Sequence, residues 1–284
     1  MTGPENLENN TLAIVAGGGE IPVRFAESVA ATGRKILVIA IDGEADDEIQ
    51  VWPHIVWKLG ALGQLFSTLR KHNCSELVML GYVPRPQFRD LHLDVSGLKY
   101  IPKILRILVG GDGSVLDKLV KYIEREGITI RGAHEISSGL CLSEKFLGSV
   151  KPNKVLKEDI KFGTRMSRTF GEFDVGQGVV VDRGRILAVE AVEGTDRMLS
   201  RCADLRSEKG NTRSGVLVKL PKPGQDLRVD MPTIGVKTIQ GIAAAGLAGI
   251  AVERGHTLVV DKEGVTKAAN EAGVFVTTVA PLQD

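Results

Sequence analysis

Residues 222–235 read KPGQDLRVDMPTIG, a stretch with two basic side chains, two carboxylates, two glycines, two prolines and a glutamine. Lys219 lies just before it, in VLVKL (216–220). Lysine and arginine beside carboxylates suit phosphoryl chemistry. Carboxylate oxygens can hold Mg²⁺, which keeps several waters and bridges phosphate oxygens. Lys219, Lys222 and Arg228 would neutralise charge that develops on a transferred group, and a carboxylate such as Asp226 would orient or deprotonate an attacking water. If 226–230 is extended, Asp226, Arg228 and Asp230 share one face, with Leu227 and Val229 on the other to pin the loop to a core. A solvated loop with surface ion pairs is the plain alternative. Pro221, Pro223 and Pro232 favour a rigid loop and hence a site.

A second stretch, AVEAVEGTDRM (188–198), offers Glu190, Glu193, Thr195 and Asp196. Gly194-Thr195 stands at the expected start of a helix, where unpaired N–H groups and a hydroxyl can face an anion. Glu190 by itself reads as a surface strand residue. No HExxH, CxxC or histidine cluster occurs, which argues against zinc.

Gly17-Gly18-Gly19-Glu20-Ile21-Pro22 follows an apolar run and nearly matches GxGxxG, with Pro22 in place of the third glycine. Asp42 falls where a ribose-binding acid would lie in a dinucleotide fold. A nicotinamide oxidoreductase is therefore one alternative, and a non-catalytic binder of a lipid or nucleotide sugar is another. The broader reading is a tight turn whose amides meet a phosphate or sugar at a helix N-terminus. ELVMLG (76–81) repeats the strand-to-glycine pattern and ends on Gly81.

These residues need a scaffold that presents strand ends. TLAIVA (11–16), KILVIAID (35–42), ELVMLG and ITIRGA (128–133) read as strands, alternating with helices near Pro22 to Gly33, 62–71 and Ser114 to Gly127. Strand–helix alternation predicts an α/β chain whose N-terminal part, over 10–135, carries a mostly parallel, doubly wound sheet. The second half changes to a mixed α/β pattern. It has a helix over 155–170, a hairpin about Asp182-Arg183-Gly184, a helix from Thr195 and a strand at 216–220. A helix over 236–246, a strand before a turn at Arg254-Gly255, strands at 257–261 and 274–279, and a helix over 263–272 complete it. The expected boundary falls in SSGLCLSEK, giving domains 1–139 and 140–284.

Composition narrows the function classes. The 284-residue chain is long enough for one large or two modest domains, and its 36 basic and 35 acidic residues leave a net charge of +1. Without basic excess and with few aromatics, no nucleic-acid partner is expected. Three cysteines without a CxxC pair suit a reducing, cytoplasmic setting. MTGPENLENN lacks a secretory pattern, and GIAAAGLAGIAV (241–252) is too short to span a bilayer. SGLKYIPKILRILVGG (96–111) mixes basic and apolar residues and reads either as a packing or dimer helix or as a segment lying on an anionic membrane.

AGGGEIP, RGAHEI, DVGQGVVV, AVEGTDRML and KPGQDLRVDMPTIG occur in this order along nearly the whole chain. Together they resemble the bacterial UDP-2,3-diacylglucosamine pyrophosphatases of lipid A biosynthesis. The resemblance implies a Rossmann-like N-terminal domain with a mostly parallel sheet and a distinct C-terminal domain. It also implies Mg²⁺-dependent hydrolysis of a glycolipid–nucleotide to UMP and 2,3-diacylglucosamine 1-phosphate, in the cytoplasm, against the inner membrane, as a homodimer. On the matching motifs, Asp226 is the central catalytic and metal-binding carboxylate. Glu193, Asp196 and Asp230 are further candidate metal ligands; Lys219 and Lys222, as candidate catalytic cations, and Arg228 come from the charge reading rather than from a motif match. Gly17, Gly18, Gly19, Gly81, Gly194, Thr195, Gln225 and Arg228 are candidate substrate contacts. GGDGS (110–114) departs from the family pattern, which expects an acidic pair after the glycine.

Overall fold

The computed structural model describes residues 11–84, 112–206 and 213–282. The candidate membrane or dimer segment at 96–111 lies outside the described residues. The chain forms two compact units: one of residues up to Ser138 together with Arg228–Asp230, and one of Gly139–Leu227 with Met231 onward. It is α/β throughout, with a parallel sheet in the first unit and a mixed sheet in the second, as the sequence led us to expect.

In the first unit, β1 (Leu12–Ala16), β2 (Ile36–Ile41), β3 (His54–Trp57), β4 (Glu76–Leu80) and β5 (Thr129–Ile130) are ordered β3-β2-β1-β4-β5. Every pairing is parallel, and Ile14 sits between Val38 and Val78. All residues of β1 and β2 are buried, as a parallel strand covered on both faces requires. The apolar faces of α2 (Leu62–Lys71) and α3 (Asp112–Arg125) close one core, in which Leu65, Phe66 and Ile123 meet Val15, Leu37 and Ile39.

Some expected boundaries shift. The helix α1 (Glu20–Ala30) begins two residues before Pro22, which still lies in the first turn, where a missing N–H costs no helical bond. The helix expected from Ser114 begins two residues earlier, at Asp112. The strand β3 was not anticipated. It is a four-residue edge strand with His54 and Val56 exposed, too short to announce itself.

The second unit orders β6 (Phe146–Leu147), β13 (Phe275–Val279), β11 (Gly249–Glu253), β9 (Val216–Lys219), β7 (Gly178–Asp182) and β8 (Arg185–Val189) in one sheet, listed by position. The strands β9, β11 and β13 run parallel, while β6 and β7 oppose their neighbours and β8 opposes β7. Alternation along β9 sends Leu217 to one core and Val216 and Val218 to the other. The first core holds Met198, Leu199 and Cys202 of α5 (Gly194–Arg206), Ile239 and Ile242 of α6 (Val236–Ala244), and Val265 and Ala269 of α7 (Lys262–Ala272). The second holds Ile160 of α4 (Lys154–Gly171). Helices thus cover both faces, and each fully buried aliphatic side chain contributes about 1.5–3 kcal/mol. The expected strand at 257–261 is shorter, comprising β12 (Leu258–Val259), which pairs with β10 (Thr233–Ile234) in a separate ribbon.

Local chemistry explains the predictable parts. Asn153 caps α4 by accepting from the Leu156 N–H at 3.0 Å. The β7–β8 turn puts Arg183 and Gly184 at φ 50° and 75°, the paired positive angles of a tight hairpin. Asp159 on α4 accepts both turn amides, at 3.0 and 2.7 Å.

Candidate active site

The glycine turn of the first unit sits where the strand order reverses, outside the carboxyl ends of β1 and β4, the usual ligand position in such sheets. The two ends are joined: Gly18 and Tyr82 exchange backbone hydrogen bonds at 2.8 Å, and Gly17 N–H donates to Leu80 at 2.8 Å. This crossing needs bare backbone. A Cβ on Gly17 would lie 2.5 Å from the Tyr82 carbonyl oxygen, and one on Gly81, at φ +93°, 2.7 Å from the Gly17 carbonyl carbon. The Gly19 N–H donates to Asp46 Oδ2 at 2.8 Å. The amides of Gly17, Gly18 and Gly19 are therefore each bonded within the unit. Asp42 is exposed just beyond β2.

In the second unit, the ends of β8 and β9 and the start of α5 bring three polar side chains together. Lys219, 8% exposed, donates from Nζ to Thr195 Oγ1 at 2.6 Å and lies 3.8 Å from Glu190 Oε2. Glu190 is 9% exposed, so the expectation of a surface residue is wrong. The ladder continues past the end of β8, with the Glu190 N–H donating to the Gly178 carbonyl at 2.8 Å. The side chain then lies against Gly178, where a Cβ would stand 2.6 Å from Oε2. Glu193 pairs with Arg201 at 2.6 Å. Its own backbone N–H, and then Arg201, hold its carboxyl below the ordinary value of 4.5. Asp196 is exposed in the first turn of α5, and Gly194 begins that helix at φ +77°.

Beyond β9, the loop closes on itself. Gln225 Oε1 accepts the Lys222 N–H at 2.8 Å, and the Gln225 N–H donates to the Lys222 carbonyl at 3.1 Å. Lys222 Nζ pairs with Asp174, a partner the sequence did not suggest. The segment 226–230 is not extended: Leu227, Arg228 and Val229 form a turn. The even spacing of the acid, base and acid therefore does not put them on one strand face. Val229 packs on the core of the first unit, and Arg228 donates to Glu124 Oε1 at 2.7 Å. Asp230 belongs with them in the first unit, whereas Asp226 belongs to the second.

Among the described residues, no group of three His, Cys, Asp or Glu side chains is placed to hold a metal ion. Glu193, Asp196, Asp226 and Asp230 thus do not make a protein cage. Mg²⁺ needs none, since one or two carboxylates with substrate phosphates ordinarily hold it.

A parallel-sheet unit in Rossmann order followed by a mixed-sheet unit makes this a two-unit α/β protein. Two family models match the chain: the LpxI N-terminal domain over residues 11–140 and the LpxI C-terminal domain over 143–277. It is 42% identical over 275 residues to the UDP-2,3-diacylglucosamine pyrophosphatase LpxI of Caulobacter vibrioides, covering 96% of this chain and 98% of that one. The chain belongs to the LpxI family, as its motifs led us to expect. Two solved structures show distant likeness. The CobK precorrin-6A reductase aligns over 97% of this chain and 91% of its own at 10% identity and a TM-score of 0.33. A UDP-glucose 4-epimerase from Thermus thermophilus, in complex with NAD, aligns over 95% and 86% at 12% identity and a TM-score of 0.30. Neither carries an argument about this chain.

Proposed function

We propose that this chain hydrolyses UDP-2,3-diacylglucosamine, adding water across the P–O–P bridge to give UMP and 2,3-diacylglucosamine 1-phosphate. The observation that supports the reading is 42% identity across 96% of the chain to a protein named for that activity. Lys219 and Lys222 are the cations we assign to the phosphate oxygens, where preorganised charge acts on the transition state. Asp226 takes the proton of the attacking water, and the bridging oxygen leaves with the other phosphate. Gly194, Thr195, Gln225 and Arg228 bind the substrate, and the turn of Gly17, Gly18 and Gly19 with Gly81 takes its sugar-phosphate part. Mg²⁺ bound by Asp226 and the substrate, with Glu193, Asp196 or Asp230 as the further carboxylate, would neutralise phosphate charge.

The same reading includes action in the cytoplasm as a homodimer in peripheral contact with the inner membrane. No helix among the described residues is long and apolar enough to cross a membrane. Sedimentation of the purified chain, alone and with anionic phospholipid vesicles, tests both associations.

The deciding experiment measures UMP release from UDP-2,3-diacylglucosamine with Mg²⁺ or chelator, for the unaltered chain and Asp226→Ala. Metal-dependent release that Asp226→Ala lowers by about 10³-fold supports the reading. No release by the unaltered chain overturns it. Stable ligand retention without turnover would then favour a binding protein, and a thermal shift with NADH an oxidoreductase.

A further inference from the structure

We infer that Glu190 is a positioning residue that acts through Lys219, an inference that rests on the reading above. Both side chains are about nine-tenths buried, at 9% and 8% exposure. Buried opposite charges normally close to a charge-assisted hydrogen bond of about 2.7–2.9 Å. In the same unit Arg206 and Asp182 close to 3.0 Å. Glu190 Oε2 instead stays 3.8 Å from Lys219 Nζ, and it has no hydrogen-bond partner among the described residues.

That separation has a chemical consequence. An ammonium has three donors, of which one goes to Thr195 Oγ1 at 2.6 Å. Glu190 balances the buried charge without taking up a donor, so Lys219 keeps capacity to donate to an incoming anion. The spacing is built into the backbone. The Glu190 N–H is fixed to the Gly178 carbonyl at 2.8 Å, and the carboxylate fills the space where Gly178 lacks a Cβ. Without Glu190, Lys219 would be an uncompensated buried cation and would turn from Thr195 toward water. Lys219 makes the contact with phosphate oxygen, and Glu190 sets where its ammonium sits.

The test is a double-mutant cycle read in UMP release and in thermal unfolding. Glu190→Gln is expected to lower kcat by about 30-fold or more while KM changes less than about threefold. In the Lys219→Met background, Glu190→Gln should cost almost nothing further, since residues in contact are not additive. Glu190→Asp keeps the charge and should retain more activity than Glu190→Gln, which also covers a Gln variant that folds poorly. Thermal unfolding should show a double variant more stable than the sum of the two single losses. Wild-type activity in Glu190→Gln, or the same fold-loss with and without Lys219, overturns the inference alone. Absence of UMP release by the unaltered chain overturns the parent reading and this role with it.

Discussion

The backbone N–H of Gly19 donates to Asp46 Oδ2 across 2.8 Å, so the glycine turn at the end of β1 already holds a carboxylate. A substrate phosphate that meets this amide does so in exchange with Asp46. Asp46→Ala removes the competitor at the cost of one exposed hydrogen bond, about 0.5–1.5 kcal/mol. The expected result is a KM for UDP-2,3-diacylglucosamine lower by about two- to fivefold, with kcat unchanged. A higher KM would show that Asp46 itself supports the bound substrate.

The pair of Arg206 and Asp182 carries a different kind of prediction. Both are buried, and Arg206 also donates to Ser214 Oγ at 2.8 Å and to the Gly246 carbonyl at 3.2 Å. Arg206→Met leaves Asp182 as a buried charge without its counter-ion, which costs about 3–5 kcal/mol. Urea unfolding should therefore show a much lower midpoint. Asp182→Leu with Arg206→Met should recover most of that loss, because neither charge then remains to be solvated.

Legibility in the sequence followed locality. The helix α4, the hairpin turn at Arg183-Gly184 and the all-apolar β2 depend on neighbours within a few residues, and their signals were readable. Glu190 was not, because its burial depends on Gly178, twelve positions earlier in the chain, and on α5 folding back over the end of β8. Asp-Leu-Arg-Val-Asp at 226–230 alternates like a strand. A turn forms instead, and Val229, partly buried, packs against the core of the first unit. Pattern alone could not divide Asp226 from Asp230, since the division comes from which unit each side of the turn joins.

The cysteines set an expectation for pH. Burial pushes the thiols of Cys74 and Cys141 from 9.0 up to about 11, and raises that of Cys202 as well. At pH 8 the native thiolate fraction of the first two falls about 100-fold below that of a free thiol. Native protein should react with a thiol reagent far more slowly than denatured protein, which should release three equivalents. The linkage has a definite sign. Above pH 9 the unfolded chain loses thiol protons that the folded chain keeps, so this stabilisation is full below pH 9 and declines toward pH 11. Fast native labelling of Cys74 or Cys141 would contradict the burial.

Gly178→Ala tests the geometry of Glu190 by shape rather than charge. The added Cβ would stand 2.6 Å from Glu190 Oε2 and 3.2 Å from Met198 Cε. The carboxylate is the far end of a flexible side chain and can swing away, while Met198 is fully buried and must shift within the core. Overpacking of this kind costs about 1–3 kcal/mol, so the variant should fold with a reduced unfolding midpoint. Its Glu190 keeps full charge but loses its place beside Lys219. UMP release should then fall by about as much as in Glu190→Gln, and Gly178→Ala combined with Glu190→Gln should be little worse than either alone. If Gly178→Ala retained normal turnover while Glu190→Gln lost it, the charge of Glu190 would matter and its position would not.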